Sequence, residues 1–168
     1  ALVLEKDKYG DTALHIALAS NASIDVMSKL IEVGGKALVL EKTVHGRTSL
    51  HDALQYNGST NVISKLIEVG GKALVMEKAN WGWTSLLYAC IWNVSIDVVS
   101  KLIEIGGKAL VLAEGHNGDT SLHWAFCYNA SIDIILKLIE VGGKTLVMAK
   151  NRKGHTSLYQ VVESTTLN

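Results

Sequence analysis

The chain repeats itself at a fixed interval, and that interval limits the possible folds more than any other feature. Gly10-Asp11-Thr12-Ala13-Leu14-His15 returns as Gly46-Arg47-Thr48-Ser49-Leu50-His51. The pattern starts again at Gly82, Gly118 and Gly154, each step being 36 residues. Val33-Gly34-Gly35-Lys36 recurs in the same register at Val69, Ile105 and Val141. A constant period of this size is the mark of a stacked-repeat architecture, in which each unit buries its apolar face against its neighbours. The 168 residues therefore read as a single array, with units at about 8–43, 44–79, 80–115 and 116–151 and a partial unit at 152–168. The chain starts inside a repeat, as a segment cut from a longer array would.

Composition removes several function classes. Sixteen basic residues balance sixteen acidic ones. A neutral chain has no electrostatic footprint for nucleic acid or for an anionic membrane. Cys90 and Cys127 occupy different phases of the repeat. They form neither a disulfide framework nor a zinc set, which fits a reduced, cytoplasmic compartment. The sequence has neither a charged-then-apolar leader nor an apolar run long enough to span a bilayer.

The second repeat illustrates the unit. Thr48 is an N-cap whose hydroxyl can accept from an early backbone N–H. Leu50, Ala53 and Leu54 follow at helical spacing. Asn57-Gly58 ends that helix and Ser59 caps the next, whose apolar face is Val62, Ile63, Leu66 and Ile67. Gly70-Gly71 stops the second helix, and Lys72 is placed where the helix dipole favours a cation. The connector Lys72-Ala73-Leu74-Val75-Met76-Glu77-Lys78 must bury its apolar run, as an extended finger or as a short helical turn tucked against the next repeat.

Thr12-Ala13-Leu14-His15-Ile16-Ala17, Thr48-Ser49-Leu50-His51-Asp52-Ala53 and Thr120-Ser121-Leu122-His123-Trp124-Ala125 resemble the signature of the ankyrin repeat family. Lys29-Leu30-Ile31-Glu32-Val33-Gly34 is similar to that family's second helix and terminating glycine. The resemblance implies an all-α solenoid of stacked helix-turn-helix units, four pairs with a trailing helix, and protein recognition through a concave face and connector tips. The chain departs from the family in several ways. Ala13, Ser49, Ser85, Ser121 and Ser157 stand where the family has proline. The unit exceeds the usual length of about 33 residues. Leu87 and Tyr159 replace the histidine, and Glu163 to Asn168 do not begin a second helix.

Sites with catalytic or metal chemistry are not expected. His15, His51 and His123 share one phase. One repeat spacing is about 10 Å for packed helices, too far for common zinc ligation at about 2 Å per bond. The resemblance makes these histidines structural partners of the capping threonines. Gly143-Lys144-Thr145 lacks the upstream glycine and strand of a phosphate loop. Asn21-Ala22-Ser23 and its equivalents match the N-glycosylation triplet, but they read as the end of one helix and the cap of the next. No metal, no cofactor and no nucleophile–base pair is predicted.

The copies differ at a few positions in phase. Around the glycine and near the end of the first helix these include Tyr9, Asp11, His45, Arg47, Tyr56, Asn80, Trp81, Trp83, Trp92, Asn117, Asp119, Tyr128, Arg152 and His155. In the family that the chain resembles, such positions bind partners. Trp and Tyr dominate interface hot spots, so Trp81, Trp83 and Trp92 are expected to lie near the centre of a binding surface. Tyr88 and Trp124 are expected to pack between repeats instead. The expected function is non-catalytic recognition of a protein or peptide of unknown identity. The alternatives are a spacer segment of a longer array and a consensus-like artificial scaffold. The uncapped apolar ends also allow end-to-end self-association.

Overall fold

The computed structural model describes residues 2–56 and 58–159. The calls on Asn57 as a helix terminator and on a trailing helix beyond Tyr159 lie outside the described residues. Regular structure among the described residues is helical, apart from isolated β-bridges, among them those joining Lys6 to Thr12 and Lys150 to Thr156. The chain divides into two compact units, Ala1–Asn80 and Trp81–Asn168. The first holds α1 (Ala13–Ala19), α2 (Ile24–Leu40), α3 (Ser49–Gln55) and α4 (Thr60–Val75). The second holds α5 (Ser85–Ile91), α6 (Ile96–Val111), α7 (Ser121–Cys127) and α8 (Ile132–Val147). In the first unit the short helix α1 packs on α3 and the long helix α2 packs on α4. In the second, α5 packs on α7 and α6 on α8.

The repeated side chains form the core of each unit. Leu50, Ala53 and Leu54 are fully buried, as are Leu66 and Leu102 on the long helices. Helices of seven residues are too short to persist alone in water, so this burial holds them in place. The turn between helices is a Schellman motif. Asn21 and Asn129 lie in the left-handed region, at φ 53° and 51°. The following N–H groups of Ala22 and Ala130 donate back to the carbonyls of Ala17 and Ala125 at 2.9 and 2.8 Å. Ser23 and Ser59 then accept from the N–H groups of Val26 and Val62. Helix termination and capping thus account for Asn21-Ala22-Ser23; Ser95 and Ser131 stand at the same N-cap position without a side-chain cap bond.

The double glycine does something subtler than stop the helix. The first glycine is helical, and a Cβ there would collide with a leucine four residues on, as between Gly70 and Leu74. The second glycine breaks the helix, with φ 60° and ψ −154° at Gly71. Beyond it the chain resumes as a short helical turn that folds Leu74 back over Gly70, which decides the connector's conformation. Lys72 sits just past the break, exposed at the start of the resumed turn.

The absent proline also finds its reason. Ser49 and Ser121 are fully buried, and their hydroxyls donate to the carbonyls of Val39 and Val111 at 3.0 and 3.1 Å. Each serine ties the start of a short helix to the preceding connector. Ser121→Ala should lower stability by about 1–2 kcal/mol, because a buried carbonyl loses its donor. Urea titration of the variant checks this, and an unchanged midpoint would contradict it.

Candidate functional site

Each short helix is fixed at its start by a threonine and, in most repeats, a histidine. Thr120 N–H donates to His123 Nδ1 at 3.2 Å, and the Thr120 hydroxyl lies 2.9 Å from the same nitrogen. An accepting Nδ1 carries no proton, so the ring proton is on Nε2, which donates to the His155 carbonyl at 3.1 Å. The same Thr–His pairs stand at Thr12–His15 and Thr48–His51. These histidines are buried in the scaffold. Among the described residues no group of His, Cys, Asp or Glu could hold a metal ion. Leu87 replaces the histidine with a fully buried apolar group, and there Thr84 simply accepts from the Leu87 N–H.

The connectors end in tight fingertips whose glycine has positive φ, 71° at Gly46 and 75° at Gly118. A side chain three residues before the glycine organises several of them. Asp7 Oδ1 accepts from the N–H groups of Tyr9 and Asp11, and Asn151 Oδ1 from those of Lys153 and His155. In the third repeat that position is Ala79, which offers no acceptor. There the tip is a 3-10 turn, Asn80–Gly82, with Trp81 at φ 67°. A bulky residue in the left-handed region is uncommon and strained, a condition that concentrates at functional sites.

In the second unit, one pocket of about 300 Å³ is lined by Trp81, Trp83, Gly115, His116, Asn117, Asp119 and Trp124. Trp83 meets Trp124 at 5.3 Å between ring centres and Tyr88 at 5.8 Å, edge-on. Trp124 continues to Tyr128 at 5.7 Å, and Trp81 stands edge-on to His116 at 5.6 Å. Asp119 is 8% exposed, and its Oδ1 accepts from Asn151 Nδ2–H at 2.9 Å. In the first unit a pocket is lined by Asp11, His15, Ile16, Ala19, Ser20, Arg47, Asp52 and Tyr56. Arg47 Nε lies 2.8 Å from Asp52 Oδ1, a close ion pair without the alignment of a hydrogen bond.

Thus Asp11, Arg47 and Tyr56 come together in one unit, and Trp81, Trp83, Asn117 and Asp119 in the other. Tyr9, His45 and Arg152 are exposed on fingertips. Asn80 is exposed too, but its Nδ2–H donates to the Val44 carbonyl at 3.3 Å. Trp92 and Tyr128 are exposed at the ends of α5 and α7. His155 is half-buried against Tyr159, 4.5 Å between ring centres. Trp124, expected only to pack, also lines the pocket, whereas Tyr88 is buried as expected. Sequence reasoning left out Asp52. The signal for Asp52 and Trp124 was available, since Ile16, Asp52, Tyr88 and Trp124 occupy one phase and all differ.

Burial pushes the Asp52 carboxyl up to about 7; Arg47 opposes the rise and Asp11 adds to it. Below about pH 7 the native state therefore holds a proton that the unfolded chain releases near pH 4, and the contact with Arg47 is a full ion pair only above it. Stability should fall as pH rises from about 4 to about 7, by at most ~1.4 kcal/mol per unit, and level off above. His15, lowered mainly by burial, acts in the opposite sense, losing stability as pH falls below its ordinary value of 6.5. Asp52→Asn isolates the carboxyl. Its melting temperature should decline less than the wild type's between pH 4 and 7; parallel curves would contradict the assignment. Burial also raises the Cys90 thiol to about 12, which removes it as a nucleophile.

Comparison with known proteins agrees with this architecture. The family model for ankyrin repeats in three copies matches residues 2–76 and 57–148. The chain belongs to the ankyrin repeat family, a generally non-catalytic family of protein-interaction scaffolds. Among curated proteins no sequence matches. One similar solved structure contains a predatory endopeptidase from Bdellovibrio bacteriovorus in complex with an immunity protein. A chain of that structure aligns over 99% of this chain and 81% of its own length, with TM-score 0.80 and 22% identity. At that identity the likeness is one of fold. No described helix is long and apolar enough to cross a membrane.

Proposed function

We propose that the chain is a non-catalytic recognition module for a protein or peptide. It binds through its fingertips and the ends of its short helices, with the centre of the contact in the second unit. The observation that carries this reading is the aromatic surface there. Trp81 is 69% exposed, Trp92 52% and Tyr128 49%; Trp81 lines the pocket with Trp83 and Trp124, and Tyr128 meets Trp124. Folded proteins rarely leave so many large rings uncovered in one region unless a partner covers them. Trp and Tyr are also the side chains that lose least entropy per unit of contact area on binding. The scaffold side chains are spent on capping and packing, which leaves the variable positions for recognition.

We place the module in the cytoplasm, where Cys90 and Cys127 stay reduced. A protein partner fits the family's general use, and the related solved complex is itself a pairing of two proteins. The test is affinity capture with the wild-type chain and with the Trp81→Ala/Trp92→Ala variant as baits, followed by calorimetry on the captured protein. A partner retained by the first and lost by the second supports the reading. Equal binding by both would overturn it.

A further inference from the structure

The pocket of the second unit has a chemistry narrower than that of a general contact surface. Three of the four tryptophans of the chain line it; they belong to two successive repeats, and Trp83 packs against Trp124. The only carboxylate in its lining is Asp119, which is 8% exposed. Asn151 occupies one acceptor position of that carboxylate, and a carboxylate has several more. The remaining lining is His116, Asn117 and the backbone of Gly115. Arg152, exposed on the neighbouring fingertip, is not part of the lining.

We infer that this pocket receives the cationic head of a lysine or arginine side chain of the partner. The inference rests on the proposed recognition function and specifies its chemistry. Indole faces carry the negative side of an aromatic quadrupole and attract cations, tryptophan most strongly. A largely buried carboxylate beside them adds a full charge of the same sign in a place where water screens it little. An apolar occupant would cover Asp119 without giving it a compensating partner, which costs free energy. An anionic occupant would be repelled by the carboxylate. The volume is at the lower end of ligand pockets, the size of a side-chain head group and not of a large cofactor.

The experiment is a two-dimensional nitrogen-15 spectrum of the whole chain, read at the indole N–H resonances of its four tryptophans. The probes are N-acetyl-lysine amide, N-acetyl-arginine amide and N-acetyl-norleucine amide, the last being apolar and similar in length. At least one cationic probe should shift the Trp81, Trp83 and Trp124 resonances saturably. Trp92 lies outside the pocket lining and serves as the internal reference. Norleucine should bind about tenfold more weakly, the scale of a partly desolvated cation–π contact. Asp119→Asn should weaken the cation by a similar factor. Should that variant fail to fold, Trp81→Ala, at an exposed position, should also weaken the cation. Equal binding of norleucine, or cation shifts spread evenly over all four indoles, would overturn the inference. That result would leave the recognition function standing if Trp81 and Trp92 still govern capture of the partner; loss of both would remove the two together.

Discussion

Gly71→Ala should destabilise the protein by about 2–3 kcal/mol although the added methyl touches nothing. At φ 60° and ψ −154° the residue occupies a region that is essentially reserved for glycine. A Cβ there would have no atom within 4 Å, so the loss is conformational and not steric. Gly70→Ala should cost a similar amount for the opposite reason. Its φ/ψ suits any residue, but the new methyl would collide with Leu74, which is fully buried. Lys72→Ala, exposed beside them, should stay within about 0.5 kcal/mol of wild type. Urea denaturation of the three variants checks the set. If Gly71→Ala were neutral, the break in the helix, and with it the folded-back connector, would be wrong.

Trp81→Ala combined with Trp92→Ala should weaken binding of the partner by roughly 2 kcal/mol or more, some thirtyfold, while the circular dichroism spectrum is unchanged. Both side chains are more than half exposed, so their removal takes little from the core. Trp81 allows a sharper control. Its backbone is left-handed, at φ 67°, where a β-carbon is unfavourable by about 1–2 kcal/mol. Trp81→Gly should therefore be at least as stable as wild type and still bind poorly. A residue that lowers stability where it stands, and whose loss costs affinity, is held there for recognition and not for folding. Should Trp81→Gly be destabilised, the ring would be part of the packing.

Much of the fold could be read from the sequence, because stacking demands the same side chains at each level. The core leucines and the threonine caps repeat in every copy and the histidine in three, and their period places them. The connector could not be read. Leu74-Val75 is apolar in either an extended or a helical form, and only the fit of Leu74 against Gly70 selects the turn. At the site, difference between copies pointed to the tryptophans. It could not separate Asn80, whose amide is engaged with the Val44 carbonyl, from Trp81, whose ring stands in the open. Trp124 both supports Trp83 and lines the pocket, and the difference among Ile16, Asp52, Tyr88 and Trp124 is the sequence signal for the second role.

The most direct measurement is an oxidative footprint of the chain, free and bound to its captured partner, read residue by residue by mass spectrometry. The account predicts protection of Trp81, Trp83, Trp92 and Tyr128, with the exposed long-helix residues Ile132 and Leu136 labelled equally in both states. Protection of Ile132 and Leu136 with the tryptophans still open would contradict it and move the binding surface to the long helices.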